Sequence, residues 1–237
     1  MLNIEQNVNF IMEVTMYDKL LLLPLFQGLG KQDFTTILEK AKFHFRKYVA
    51  GSIIAGQGSK CNAIVFVLDG EVTSEKKDEK YGYSLTEYFC KPFVVEPHSL
   101  FGMYPSYTAT YTAQTDVSVV SIGKADILSV LNRFEIFQMN YLNLLSNHVQ
   151  RLTLRLWDIH SGNTTEKVAN FLLKRCLTPR GKKKLRIRME DFAELTGETR
   201  ISISKALNTL KAQKLIALSR KEITIPDLEK LTNDIQP

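Results

Sequence analysis

The sequence predicts an α+β protein with a β-rich N-terminal region, a long helix and a C-terminal helix-turn-helix that is followed by a β-hairpin. Three observations predict this fold: glycine-punctuated runs of β-forming residues over 49–122, an amphipathic stretch over about 124–159, and two short helical patterns that meet at Gly197. The 237 residues suffice for one large domain or two ordinary ones. Hydrophobic residues make up 44% and charged residues 24%, as in soluble globular proteins.

The first half of the chain changes character near residue 48. Residues 10–48 are predicted to be helical, because Leu20–Leu23 and Ile37–Leu38 give apolar faces and Pro24 interrupts the run. Residues 49–122 contain several short apolar or β-branched runs that are separated by glycines. Many short strands with regular turn signals are typical of a β-sandwich or barrel.

A long helix is predicted next, and one face of it is apolar. The apolar positions recur at spacings of three and four: Phe137, Tyr141, Leu144, His148, Leu152 and Leu156. A helix whose wide apolar face extends beyond its own domain commonly pairs with a second copy. Packing within the same chain is the alternative, and the period alone does not separate the two. We therefore predict a dimerisation helix at 131–160, between a sensor domain at 1–130 and a third domain at 161–237.

The third domain begins after a hinge at residues 161–163. Asn163 followed by Glu166 is a capping-box-like start for a helix that continues to about Cys176. The basic segment KKKLRIR, residues 182–188, is predicted to be a strand or the edge of a loop. A short helix over Glu190–Thr196 follows it.

The stretch GETRISISKALNTLKAQKLI, residues 197–216, predicts the turn and second helix of a helix-turn-helix. Gly197 favours the left-handed backbone that ends one helix, and Thr199 can cap the next. A buried stripe is predicted for Ile203, Ala206, Leu207 and Leu210. Two apolar runs at 216–218 and 223–225 then form a hairpin, which makes the motif a winged helix-turn-helix.

Charge points to a polyanionic partner for the third domain. Residues 161–237 hold 16 Lys and Arg against 9 Asp and Glu, a net +7, whereas residues 1–160 have a net −1. The free face of the second helix carries Arg200, Ser204 and Lys205. Because an α-helix fits the major groove and such side chains reach bases and phosphates, the sequence predicts binding to double-stranded DNA.

Other classes of protein are disfavoured by what the sequence contains. The longest apolar run, Leu20 to Phe26, is far shorter than the roughly 20 residues of a membrane span, and the N-terminus carries no secretory signal. Cys61, Cys90 and Cys176 are odd in number and widely spaced, so we expect reduced thiols, no metal site and a cytoplasmic protein. No catalytic constellation is found, and the protein is predicted not to be an enzyme.

The whole chain, from about residue 20 to 225, resembles the catabolite-activator/FNR (Crp/Fnr) superfamily of bacterial transcription regulators. The resemblance is carried by LLPLFQGLGKQDFTTIL (22–38), GSIIAGQG (51–58), VLDGEV (67–72) and GETRISISKAL (197–207). It implies that the β-rich region is a β-roll of the double-stranded β-helix, cyclic-nucleotide-binding type. It further implies a homodimer through the long helix, with DNA and RNA polymerase as partners and a small-molecule effector.

The resemblance also implies roles for residues of the second helix. Arg200, Ile201 and Lys205 match base-reading positions, and Thr199, Ser202 and Ser204 are expected at phosphates. Ile201 stands where many family members have a glutamate, so a different DNA target is expected.

The expected effector site departs from the family pattern. In FGMYPSYTAT, residues 101–110, Gly102 is kept, Met103 replaces a glutamate that binds ribose, and Tyr107-Thr108 stands where an Arg-Ser or Arg-Thr pair binds phosphate. These four residues define the candidate effector pocket. A buried cyclic phosphate without a guanidinium partner is unfavourable, so cyclic AMP is not supported as a ligand. The cysteine cluster that holds an iron–sulfur centre in FNR-like members is absent as well.

Three alternatives remain open for the β-rich region. It could respond to haem or another small ligand, with His98 as the candidate axial ligand. It could bind nothing and only support the dimer. A cupin-like metal enzyme needs clustered histidines, whereas His44, His98, His148 and His160 are scattered.

Overall fold

The computed structural model describes residues 18–90, 92–157 and 162–233, with side chains described outside 155–157. The chain divides into two compact units. The first unit is built from residues up to 72, 89–108 and 112–150, and the second from 73–88, 109–111 and 151 onwards. The predicted boundaries near residues 130 and 160 stay a prediction, but the grouping of 73–88 with the C-terminal residues was not foreseen.

Residues 18–21 are helical, and helix α1 (Lys31–Lys40), which follows them, buries Phe34 and Ile37. The predicted helical region was wrong for its last residues, because Phe43–Tyr48 form strand β1. The sequence FHFRKY alternates aromatic with charged or histidine side chains in its first four positions, and this period of two fits a strand.

The β-rich region contains eight strands, and four of them form a sheet within the first unit. The strands of the β-rich region are β1, β2 (Ile53–Ala55), β3 (Ala63–Asp69), β4 (Val72–Asp78), β5 (Tyr83–Phe89), β6 (Phe93–Val95), β7 (Thr110–Ala113) and β8 (Val117–Gly123). The four-stranded sheet has the order β1-β8-β3-β6, and β8 is antiparallel to both of its neighbours. Gly70, in the turn between β3 and β4, has φ 91°, and a Cβ there would collide with the carbonyl oxygen of Asp116, so only glycine fits.

The helical stretch after β8 is not continuous. Helix α2 (Lys124–Ser129) and a 3₁₀ turn (Leu131–Arg133) precede the long helix α3 (Glu135–Trp157). The break places Leu131 fully in the core and lets Phe134 take an extended backbone. Phe137 then packs against Phe26, with ring centroids 5.9 Å apart.

The second unit contains the helix-turn-helix and its wing. Its elements after α3 are α4 (Thr164–Arg175), β9 (Lys183–Arg186), α5 (Met189–Thr196), α6 (Arg200–Ala212), β10 (Ala217–Ser219), β11 (Glu222–Ile225) and α7 (Leu228–Asn233). Asn163 caps α4 as predicted, accepting a hydrogen bond from the backbone N–H of Glu166 at 3.0 Å. The basic segment forms a strand whose sheet neighbours are β11 and β5, in the order β10-β11-β9-β5-β4.

The predicted α+β fold class is confirmed: a β-domain, a long helix and a winged helix-turn-helix follow one another. The core of the second unit joins α4, α5 and α6 to the sheet, through residues such as Phe171, Leu185, Phe192, Leu207 and Ile223. Within the described part of the chain, no helix has the length and apolar character required to cross a bilayer.

Candidate nucleic-acid interface and effector segment

The turn between α5 and α6 has the geometry that the sequence predicts. Gly197 has φ 67°, the left-handed conformation, and its N–H donates to the carbonyl oxygen of Glu194 at 3.1 Å. The side chain of Thr199 accepts a hydrogen bond from the N–H of Ser202 at 3.1 Å, which caps α6. Both local predictions, the glycine turn and the threonine cap, are confirmed.

Helix α6 is anchored by one face. Ile203, Ala206, Leu207 and Leu210 are all buried, as predicted from their spacing. Ile203, Leu207 and Leu210 belong to the core that contains α4 and α5 residues. The opposite face is therefore held in a fixed orientation by packing, and not by its own polar side chains.

The three expected base-reading residues lie on the outer side of α6. Arg200 and Lys205 are exposed, and Ile201 is 69% exposed although it is apolar. The Nη1 atom of Arg200 lies 3.1 Å from Oε1 of Glu190, with both side chains more than half exposed. Such surface ion pairs contribute little, so Arg200 can exchange Glu190 for a DNA group at small cost.

The expected phosphate-contacting residues are partly engaged within the helix start. The hydroxyl oxygens of Thr199 and Ser202 are 2.9 Å apart, and Thr199 already serves as the cap. Ser204 is half-buried. The free N–H groups in the first turn of α6 favour negative charge at this point. Thr199 and Ser202 therefore shape the helix start as well as offering hydroxyls.

Several basic side chains of the wing region are paired within the chain. Lys184 lies 3.0 Å from a carboxylate oxygen of Glu222, and its hydrogen bond is the main cause of a lowered pKa for Glu222. Arg188 donates two hydrogen bonds to Asp191 and lowers the pKa of that carboxyl. These cations are thus already engaged by neighbouring carboxylates.

Two cations at the wing tip were missed as candidates. Arg220 and Lys221 lie in the turn between β10 and β11, are exposed, and make no ion pair among the described residues. Lys221 has a left-handed backbone with φ 59°. The signal in the sequence was a basic pair at the centre of a short hairpin, a position that projects from its sheet.

The expected effector pocket is only partly assembled. Gly102 has φ 108°, and Met103 beside it is 86% exposed, so its side chain lies in solvent and lines no pocket. Tyr107 is buried, and burial raises the pKa of its phenol well above the usual value, with a hydrogen bond to Cys61 adding to the shift. The exposed Met103 contributes no buried surface in this structure, and its assignment to an effector pocket stays a prediction.

Glu96 is the residue of this segment that sequence reasoning missed. The residue is only 3% exposed. Its carboxylate accepts hydrogen bonds from the Ser99 hydroxyl at 2.8 Å, from the Thr108 N–H at 2.8 Å and from the Thr108 hydroxyl at 3.0 Å. Its backbone is left-handed, with φ 34°, which is uncommon for a residue with a Cβ.

The first half of α3 packs within its own chain. Phe137 is 2% exposed, and Tyr141 donates a hydrogen bond from its hydroxyl to the carbonyl oxygen of Pro97 at 2.7 Å. Burial raises the pKa of Tyr141 to about 12. The His148 ring stacks on His98, with centroids 4.3 Å apart. Phe137, Tyr141 and His148 therefore make intrachain contacts, and their place in a dimer face stays a prediction.

A second apolar stripe on α3, which shares Leu152 with the predicted face, is partly exposed. Leu142, Val149 and Leu152 are 55%, 59% and 43% exposed, and Leu145, half-buried, completes a spacing of three, four and three. This spacing is the heptad pattern of a two-stranded coiled coil. Leu144 is half-buried, and the side chain of Leu156 lies outside the described residues.

The chain matches two family models. One is the cyclic nucleotide-binding domain, over residues 45–134, and the other is the Crp-like helix-turn-helix domain, over residues 166–233. The cAMP-activated global transcriptional regulator Vfr of Pseudomonas aeruginosa is 21% identical over 193 residues, which cover 78% of this chain and 90% of that protein. The cyclic AMP receptor protein of Thermus thermophilus is 26% identical over 201 residues, covering 82% and 88%.

The fold is also shared with solved structures. The crystal structure of the Thermus thermophilus catabolite activator protein matches with a TM-score of 0.52 at 23% identity. The match covers 90% of this chain and 100% of that one, so both the β-domain and the helix-turn-helix have counterparts there.

Proposed function

Because the chain belongs to the catabolite-activator/FNR (Crp/Fnr) family of bacterial DNA-binding transcription regulators, we propose that it is a cytoplasmic homodimer that reads a specific DNA sequence without a cyclic nucleotide. The observation that carries the proposal is helix α6, which is anchored by four buried residues and presents Arg200, Ile201 and Lys205 outward. We expect RNA polymerase as a further partner, and no catalytic activity.

Base reading is assigned to the exposed residues of α6. Arg200 lies in the first turn, where a helix in the major groove reaches base edges, and its guanidinium can donate two hydrogen bonds to one guanine. Ile201 has no hydrogen-bonding group, so it can contact only a thymine methyl group. Lys205 adds a flexible cation five residues further along the helix.

Phosphate binding is assigned to the surroundings of that helix. Thr199, Ser202 and Ser204 offer hydroxyls near the start of α6, where the helix dipole also favours an anion. Arg220 and Lys221 at the wing tip supply positive charge. Phosphate contacts set the register of the protein on DNA and much of its affinity, whereas the base contacts supply specificity.

The exposed heptad stripe on α3 supports a dimer. Leu142, Leu145, Val149 and Leu152 give a parallel pair of helices two heptads of apolar contact. A second copy is the occupant that matches the family, and two copies present two recognition helices to half-sites about one helical turn of DNA apart.

The internal hydrogen bonds of Glu96 support independence from cyclic nucleotides. The N–H and hydroxyl of Thr108 both donate hydrogen bonds to the Glu96 carboxylate. A ligand phosphate could bind these two donors only by displacing that carboxylate. Tyr107, in place of an arginine, offers no positive charge. A negatively charged ligand would therefore meet a resident anion and no guanidinium, which is unfavourable for binding.

Two measurements test the proposal together. Selection of preferred sites from random duplex DNA is expected to yield a two-fold symmetric sequence for the wild-type protein. Sedimentation at tens of micromolar is expected to show a dimer that Leu152→Glu converts to a monomer, because the substitution places a charge in the apolar seam. Asn147→Glu, at an exposed position outside the stripe, is the matched control and is expected to remain dimeric. A monomeric wild type, or selection without enrichment, would contradict the proposal.

A further inference from the structure

Strand β9 of the second unit is paired with a neighbouring strand on each side. On one side it pairs with β11 of the wing, Leu185 opposite Ile223. On the other side it pairs antiparallel with β5, and Leu85 lies opposite Leu185 while Glu87 lies opposite Lys183. A hairpin from much earlier in the chain, β4–β5, thus extends the wing sheet.

A buried ion pair fixes the register between β5 and β9. Lys183 is fully buried, and its Nζ atom lies 2.8 Å from Oε2 of Glu87. The same ammonium donates hydrogen bonds to the Thr178 hydroxyl at 2.9 Å and the Arg180 carbonyl at 2.8 Å. Glu87 also accepts from the backbone N–H groups of Leu177 and Thr178, so both charges have several partners.

Apolar and aromatic contacts reinforce the same strand pairing. Leu85 is buried in the core of the second unit together with Leu185. Tyr83, at the start of β5, packs edge-on against Phe171 of α4 with ring centroids 5.6 Å apart. Its hydroxyl accepts a hydrogen bond from Nε of Arg175 at 2.9 Å. The hairpin is therefore attached to α4 as well as to β9.

The second unit, which contains α6, depends on these contacts to cover its sheet edge and to compensate a buried charge. Without β5, the backbone of β9 would be an unpaired sheet edge, which proteins normally cover or shorten. The ammonium of Lys183 would also lose the carboxylate that compensates its burial, a strongly unfavourable change. A segment consisting of residues 161–237 alone would have both defects.

We propose that the DNA-binding module is discontinuous, with hairpin residues 73–88 completing the wing sheet and Glu87 acting as the residue that positions β9. The inference rests on the proposed function, because it concerns how that function's wing is held. Because β9 is hydrogen-bonded to β11, the position of the hairpin also sets the position of Arg220 and Lys221 at the wing tip. Movements of the β4–β5 hairpin then move the wing relative to α6.

The test compares single and paired substitutions in the full-length protein. Glu87→Met leaves Lys183 buried without its counter-ion and is expected to lower the melting temperature by roughly 6–20 °C. Glu87→Met combined with Lys183→Met replaces the ion pair by two apolar side chains, and is expected to recover most of that loss. Glu75→Met, which removes a partly exposed pair with Lys77 on the same hairpin, is the matched control and is expected to change little.

Two further readouts separate positioning from general stability. Amide hydrogen exchange at Thr86 and Lys184, which lie opposite each other in β5 and β9, is expected to accelerate at least tenfold in Glu87→Met and to return towards wild type in the paired variant. At a temperature where Glu87→Met keeps its helical circular dichroism, the slope of log K for DNA against log salt is expected to fall in magnitude by about two to four, because the two wing cations of each protomer no longer reach phosphate. A loss of stability alone would not change that slope for folded protein.

Unchanged exchange at Thr86 and Lys184 in Glu87→Met would overturn the inference, as would a paired variant no better than the single one. Rapid exchange with an unchanged salt slope would overturn the positioning role of Glu87. A wild-type protein that binds DNA with no salt dependence would contradict the proposed function itself, and the exchange results would still decide the strand pairing.

Discussion

The effector segment and the recognition helix use similar polar groups in opposite ways. Around Glu96, the Ser99 hydroxyl and both donors of Thr108 converge on a carboxylate of the same chain. On α6, the charged groups of Arg200 and Lys205 face outward, and the helix is held in place by apolar residues on its other side.

This difference teaches where a ligand can bind. A buried donor needs a partner in the folded protein, and an external ligand must then replace that partner. An exposed donor is solvated by water, which a DNA phosphate or base can replace at small cost. The effector segment is therefore expected to behave as a closed site and α6 as an open one.

The largest expected effect is the dependence of DNA binding on salt. If the open site and wing neutralise 6 to 10 phosphates in the dimer, affinity is expected to fall by about 10³–10⁵ between 50 and 200 mM salt. Replacing both Arg220 and Lys221 by alanine is expected to flatten the slope of log K against log salt. Fluorescence titration of duplex DNA at several salt concentrations measures both, and a flat wild-type response would show that α6 is not an open polyanion site.

Removing the resident carboxylate is expected to have the next largest effect, on stability. Glu96→Ala leaves the Ser99 and Thr108 donors without their charged acceptor, at a cost of about 3 kcal/mol, and lowers the melting temperature by about 6–12 °C. Glu71→Ala, at an exposed position in the same unit, is the control and is expected to cost less than about 0.5 kcal/mol. Calorimetric melting that treats the two variants alike would argue against a closed site.

A smaller effect is expected when the open site loses its first reading residue. Arg200→Ala is expected to cost about 1–3 kcal/mol on the preferred DNA site and to blur discrimination at one base pair. Ser202→Ala is expected to weaken binding to all sequences by a similar, smaller amount, because it concerns a phosphate.

Both substitutions are expected to keep the fold, since Ile203, Leu207 and Leu210 hold the helix and the Arg200–Glu190 pair is a surface contact. Site selection with each variant is the measurement. If Arg200→Ala prefers the same sequence with the same stringency, α6 does not read the DNA as assigned.

The smallest expected effect is the response to cyclic nucleotides. Cyclic AMP and cyclic GMP are expected to produce no calorimetric signal at micromolar concentrations and no change in DNA affinity, because Glu96 occupies the Thr108 donors and Tyr107 provides no positive charge. Tight binding of either nucleotide would show that the carboxylate is displaced easily and that the site is open after all.

The sequence alone determined the features that depend on neighbours three or four residues apart. The left-handed Gly197, the Thr199 cap, the Asn163 cap and the buried stripe of α6 were all predicted and are all confirmed. Helix period, capping and turn preferences are local, so a short stretch contains the information that specifies them.

Only the tertiary structure decided which distant residues meet. Glu96 accepts a hydrogen bond from Thr108, 12 residues away in the chain, and Glu87 accepts one from the N–H of Leu177, 90 residues away. The apolar face of α3 was predicted, but the sequence left open which of its residues face the β-domain, and the structure assigns Phe137 there and leaves Leu152 exposed. Strand register and the packing of one element on another depend on the whole arrangement of the sheet and core, and no local pattern of residues specifies them.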